Sequence, residues 1–131
     1  MKRLLPLFVT VACLGLFSCK KEAINNIPVQ IRVQNLSSYT IQSVTIVSAT
    51  KDQPYQQQYN YGSLGSNQTS TYLEQGIVYS VPTCKFQVNG QWKEFVPRCQ
   101  LGLKELTAGR YTLKITTDAL GNISYPEFTK D

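Results

Sequence analysis

The chain has no histidine among its 131 residues. That removes the usual general base at neutral pH and the commonest metal ligand. It also excludes every Ser-His-Asp and Cys-His arrangement. Charge is sparse, with 16% Asp, Glu, Lys and Arg, and the basic side chains are scattered singly after Lys21. Nucleic-acid binding needs a clustered basic face, so no such partner is expected. Helical patterning is also missing. No stretch of helix length beyond the N-terminus keeps a 3.6-residue apolar period without a Gly, a Pro or a β-branched cluster.

What is present begins at the N-terminus. Lys2 and Arg3 are followed by an almost unbroken apolar run, Leu4 to Phe17, and then by Ser18-Cys19. A run of about 14 residues is short for a bilayer span, and its flanks fit a signal peptide better than an anchor helix. The small residue directly before Cys19 marks a bacterial lipoprotein signal, with cleavage before Cys19 and lipid attached to it. A short buried helix with an incidental cysteine is the alternative. It does not explain why polar sequence starts abruptly at Lys20-Lys21-Glu22. Cys13 lies inside the apolar run and leaves with the signal. The chain is therefore expected to divide into a signal peptide (1–18), a lipidated Cys19 with its tether (19–27), and one domain (28–131).

Cutting 18 residues from 131 leaves 113, enough for a single domain with its own core. The 13 basic side chains lose two with the signal, so 11 face 8 acidic ones, a net charge of +3. Lys20 and Lys21 then sit beside the lipid, where acidic head groups attract each by about 1 kcal/mol.

The domain reads as strands. Val29, Ile31 and Val33 alternate with polar residues, as do Tyr111, Leu113 and Ile115. Each is a half-buried strand. Tyr39 to Ser48 is β-rich, but Ile41 and Val44 cannot share one face of a regular strand, so a bulge is expected near Gln42-Ser43. Ala49 to Gln58 reads as a loop, with a short strand ending before Gly62. Further strands are expected at Thr69–Leu73, within Ile77–Val88 (broken by Pro82), after Asn89-Gly90, and at Ile123–Phe128. Seven or eight short strands at this spacing predict an antiparallel β-sandwich, with a small closed barrel as the rival.

Asn89-Gly90 is the strongest local signal. Asn-Gly between two strand-like runs favours a two-residue type I′ turn, in which both residues need positive φ. The register follows: Val88 faces Gln91, Gln87 faces Trp92, Phe86 faces Lys93, Lys85 faces Glu94 and Cys84 faces Phe95. Opposite charges at Lys85 and Glu94 support it. This pairing puts Cys84, Phe86, Val88 and Phe95 on one face and Trp92, the only tryptophan, on the polar one. An exposed Trp is a natural contact residue, because it offers large area at low entropic cost.

Continuing the ladder puts Cys99 opposite Ser80, about 13 Å from Cys84 along an extended strand. A Cys84–Cys99 disulfide needs Cα atoms within about 7 Å. The exported compartment permits the bond, and Pro97 allows the required bend. The disulfide is the expectation, against two buried or half-buried thiols. Eight tyrosines are many for this length, and most crowd into Tyr55–Tyr79. Tyr59 and Tyr61 join Trp92 as candidate contact residues, although tyrosine also simply suits sandwich strands. The acidic residues are too dispersed to nominate a glycosidase pair.

The processing site Leu-Phe-Ser-Cys-Lys-Lys-Glu resembles that of lipoproteins from the Bacteroidota. Val-Gln-Asn-Leu-Ser-Ser-Tyr, Tyr-Gly-Ser-Leu, Gln-Thr-Ser-Thr-Tyr and Ala-Gly-Arg-Tyr-Thr-Leu-Lys-Ile, in that order, are similar to small lipoproteins of unknown function from that group. The resemblance implies an envelope lipoprotein with a β-sandwich domain; the sandwich is expected to be immunoglobulin-like or transthyretin-like, and the anchor to lie in the outer membrane, at the periplasmic face or the cell surface. It brings no catalytic or binding residues with it. The expected function is a non-enzymatic interaction module, held by membrane lipid through Cys19, whose partner is an envelope protein or a glycan. No cofactor, metal or nucleic acid is expected. A carbohydrate-binding accessory lipoprotein is the second reading, and a hydrolase using carboxylates alone the third.

Overall fold

A computed structural model of the chain describes residues 28–48, 57–98 and 103–131. The signal, Cys19, the tether, most of the loop expected after Ala49, and Cys99 lie outside the described residues. Among the described residues eight strands run in chain order: β1 (Val29–Asn35), β2 (Ile41–Ser48), β3 (Gln57–Leu64), β4 (Leu73–Gln75), β5 (Thr83–Val88), β6 (Gln91–Phe95), β7 (Gly109–Ile115) and β8 (Glu127–Lys130). They form two four-stranded sheets, ordered β4-β1-β7-β8 and β3-β2-β5-β6. The all-β sandwich predicted from the alternating pattern is the observed fold.

Alternation decides which side chains meet between the sheets. Val29, Ile31 and Val33 of β1 and Tyr111, Leu113 and Ile115 of β7 turn inward on one side. Ile41, Val44 and Ile46 of β2 and Cys84, Phe86 and Val88 of β5 face them from the other. Burying a side chain of this size stabilises by about 1.5–3 kcal/mol relative to exposure. The phase slip in β2 is resolved as predicted: Ser43 adopts φ 52° and the register shifts between Ile41 and Val44.

Three local expectations need correction. Five strand pairings are antiparallel, but β1 runs parallel to β7 along its whole length, from Val29 opposite Gly109 to Asn35 opposite Ile115. Alternation sets a strand's buried face and is silent on its partner's direction. The strand predicted at Ile123–Phe128 begins only at Glu127, because Pro126 has no N–H to give a ladder. The one predicted at Thr69–Leu73 moves to Leu73–Gln75, with a single bridge from Thr69 to Gln34.

The end of the sandwich where β1 finishes is pinned by a buried amide. Asn35 Nδ2 donates to the carbonyls of Tyr39, Leu64 and Gly65 at 2.7, 3.0 and 2.9 Å. Its Oδ1 accepts from the Ser37 N–H and hydroxyl. A buried amide satisfied on both sides ties two turns to one strand end and leaves no orphaned polar group.

Candidate binding surface

The β5–β6 hairpin has the register derived from its turn, pair for pair from Val88–Gln91 to Cys84–Phe95. Asn89 and Gly90 adopt φ 50° and 77°, the positive values a type I′ turn requires. Phe86 is fully buried and Trp92 is 56% exposed. The Lys85 ammonium lies 5.8 Å from the Trp92 ring centroid, within cation–π range. Gln42 and Gln87 continue the same row across the outer face of the sheet. Val96, two residues after Glu94, is 51% exposed.

Beside the end of β6, the described residues leave a gap between the two sheets. A groove of about 590 Å³ lies there, lined by Val81, Phe95, Val96, Leu103, Ile123 and Tyr125, with the exposed Glu94 and Arg98 contributing one charge of each sign. Phe95 and Tyr125 meet edge to face at 5.7 Å between centroids. The loop from Asp118 to Asn122 roofs the hairpin end of this side: Lys93 Nζ donates to Asn122 Oδ1 at 3.0 Å, and Gly121 packs so close to Val88 that an added Cβ would sit 3.2 Å from it. The Asp118 carboxylate accepts from the side chain and backbone of Asn122 and from the Leu120 N–H, which hold its pKa below the usual value.

The tyrosine candidates do not join Trp92. Tyr59 and Tyr61 lie on β3, at the opposite edge of the same sheet, and are engaged in closing the other side of the sandwich. Ser48 Oγ donates to Gln75 Oε1 at 2.6 Å, Gln75 Nε2 to the Tyr61 hydroxyl at 2.5 Å, and that hydroxyl to the Ile31 carbonyl at 3.2 Å. The Gly76 N–H donates to the Tyr59 hydroxyl. Burial pushes the Tyr61 phenol well above its ordinary pKa, so it remains a neutral donor. These two residues tie the β3 edge to β1 and to the end of β4, and neither joins Trp92 in a platform.

Cys84 also departs from expectation. Its thiol is free and points into the core, fully buried. Burial, with the nearby Glu94 carboxylate adding to it, pushes its pKa up to about 12. Such a thiol is protonated and unreactive at neutral pH. Cys84 carries no disulfide in this structure; its expected partner, Cys99, lies outside the described residues.

One polar cluster escaped the sequence reading. On the outer face of the first sheet the guanidinium groups of Arg32 and Arg110 sit 4.9 and 5.2 Å from the Tyr72 ring centroid. Asp131 accepts from the Thr112 hydroxyl at 2.7 Å, from the Tyr72 hydroxyl, and from Arg32 at 3.4 Å. These contacts, the Thr112 hydroxyl foremost, hold the Asp131 carboxyl below its usual pKa. The residues come from β1 and β7, from the position before β4 and from the one after β8, far apart in sequence, so no local signal marks them. Among the described residues, no group of three or more Cys, Asp or Glu side chains converges as a metal site, and no helix is long and apolar enough to cross a membrane.

No family model and no curated protein matches the sequence. Among solved structures, the chain is similar to a protein from Eubacterium rectale determined by NMR. The TM-score is 0.52, over 79% of this chain and 88% of that one, at 12% identity. A likeness at that identity concerns fold alone, and it agrees with an all-β sandwich domain.

Proposed function

We propose that the chain is a lipid-anchored, non-enzymatic lipoprotein of the bacterial outer membrane, and that its domain is an interaction module whose partner is another envelope protein. The anchor reading rests on the basic start, the apolar run and Ser18-Cys19. The interaction reading rests on one observation: the only tryptophan of the chain stands 56% exposed on a regular hairpin instead of in the core. Large rigid aromatics at protein surfaces are favoured anchors for binding.

Two measurements test the parts separately. Labelled palmitate should enter the wild type and not Cys19→Ala; equal labelling of both removes the anchor. A photo-crosslinking amino acid at position 92 of the cell-borne protein should yield a discrete adduct with one envelope protein. The same group at position 114, on the first sheet, should not. Equal adducts from both positions remove Trp92 as the contact.

A second reading, carbohydrate binding, draws support from the row Gln42, Gln87, Trp92 with Lys85 beside it, a flat aromatic flanked by amide donors and acceptors. Retardation of the domain in gels containing envelope polysaccharide, lost in Trp92→Ala, would favour it over a protein partner.

A further inference from the structure

The two-residue turn determines which backbone groups of β6 are used. Val88 and Gln91 close the turn as a hydrogen-bonded pair, so pairs alternate from there. Lys93 and Phe95 then spend their N–H and C=O on β5, and those of Trp92 and Glu94 point away from the sheet. Among the described residues no backbone hydrogen bond reaches Trp92 or Glu94 from that open side. The other three edges are less receptive. β4 and β8 have three and four residues. β3 holds Gly62 at φ 73° and pairs with a shifted register. Natural edge strands are usually shortened, bulged or covered; β6 is regular, carries an exposed Trp, and borders an apolar groove.

We propose that β6 receives an extended segment of a partner protein as a fifth strand of the second sheet. This rests on the interaction-module reading and adds its mode. The register specifies the segment. On the outer face, the residue opposite Glu94 is basic and the one opposite Trp92 is aromatic or β-branched, the cross-strand pairs that stabilise a ladder. Side chains on the inner face turn toward Phe95, Ile123 and Tyr125, so the one opposite Phe95 is apolar and enters the groove. A second copy of this chain fits poorly. Symmetric antiparallel pairing about position 93 sets Lys93 opposite Lys93, and pairing about position 94 sets Glu94 opposite Glu94. Like charges directly opposite destabilise a ladder. Pairing about Trp92 or Phe95 shortens the overlap, at the turn or at Pro97.

The test uses a displayed library of random peptides of about twelve residues, enough to cover a strand of usual length, selected on the domain. Enriched peptides should alternate apolar with polar residues. Binding should slow hydrogen exchange of the Trp92 and Glu94 amides and leave Lys93 and Phe95, already bonded to β5, unchanged. Glu94→Pro removes an outward N–H, a position where an edge strand tolerates proline. It should weaken the peptides about tenfold, as expected for one main-chain hydrogen bond and its disturbed neighbours. N-methylation of alternate peptide residues gives the same readout without altering the protein: one phase should abolish binding and the other retain it. Peptides that bind without slowing exchange at Trp92 and Glu94, or that tolerate both N-methyl phases, overturn the added strand. No enrichment, with the position-92 adduct still formed in cells, overturns it and leaves the interaction reading standing. Slowed exchange that follows protein concentration alone assigns the edge to a second copy and also overturns it.

Discussion

The two open sides of the sandwich are closed by different chemistry. On the β3–β4 side, Ser48, Gln75 and Tyr61 form a hydrogen-bonded chain that ends on the β1 backbone at the Ile31 carbonyl. On the β6–β8 side the contacts are apolar, an edge-to-face pair of Phe95 and Tyr125 beside a groove of about 590 Å³. A directional chain holds two sheets at one separation, because each member has a fixed partner distance. Apolar contacts are non-directional and tolerate substitution by another apolar group. One sandwich thus has a side tied by directional bonds and a side held by interchangeable apolar contacts, and the exposed Trp92 stands on the second.

The core that serves both sides should show the largest effect. Phe86→Ala is expected to cost about 3–5 kcal/mol in urea unfolding. A loss near 1 kcal/mol would mean that the groove side collapses into the space, and the contrast between the sides would then be one of shape only. Next comes the polar side. Gln75 is 4% exposed, and Gln75→Leu takes the acceptor from the Ser48 hydroxyl and the donor from the Tyr61 oxygen, which keeps only its bond to the Ile31 carbonyl, at a cost of about 1–3 kcal/mol. Adding Ser48→Ala and Tyr61→Phe should recover most of that loss, since removing every partner is cheaper than removing one. Additive losses in the triple variant would show that the chain is not a unit.

The two sides also differ in how legible they were in the sequence. The hairpin that borders the apolar side follows from local rules. Asn89-Gly90 sets the turn, the turn sets the register, and the register places Phe86 inside and Trp92 outside. The bulge at Ser43 was readable for the same reason, since Ile41 and Val44 conflict within one short strand. The polar side depends on residues 14 to 30 positions apart meeting across two sheets, and no alternation reports that. Tyr59 and Tyr61 were therefore grouped with Trp92 by composition, although the fold sends them to the opposite edge. The parallel pairing of β1 with β7 was hidden likewise, since both strands alternate the same way whichever direction they run. Cys84 failed for a different cause. A bend at Pro97 allows a disulfide but does not require one, and alternation puts the Cys84 side chain in the core without reporting whether a second cysteine meets it there.

The smallest expected effect on stability is at Trp92, and it discriminates most sharply between the two sides. Its ring lies on the outer face, touched by the Lys85 ammonium. Trp92→Ala therefore removes one cation–π contact at an exposed site, worth about 0.5–1 kcal/mol. The change should stay within about 1 kcal/mol by urea unfolding. Emission from the wild type should be red-shifted and readily quenched by acrylamide, because 56% of the residue is exposed. Binding should respond in the opposite proportion: whatever partner the position-92 adduct identifies should be weakened by Trp92→Ala far more than by Lys114→Ala on the first sheet. A blue-shifted, protected emission from the free monomer, together with a loss of several kcal/mol on truncation, would mean that Trp92 seals the groove side as Gln75 seals the other. Both sides of the sandwich would then be structural, and the edge of β6 would have no claim to be the binding surface.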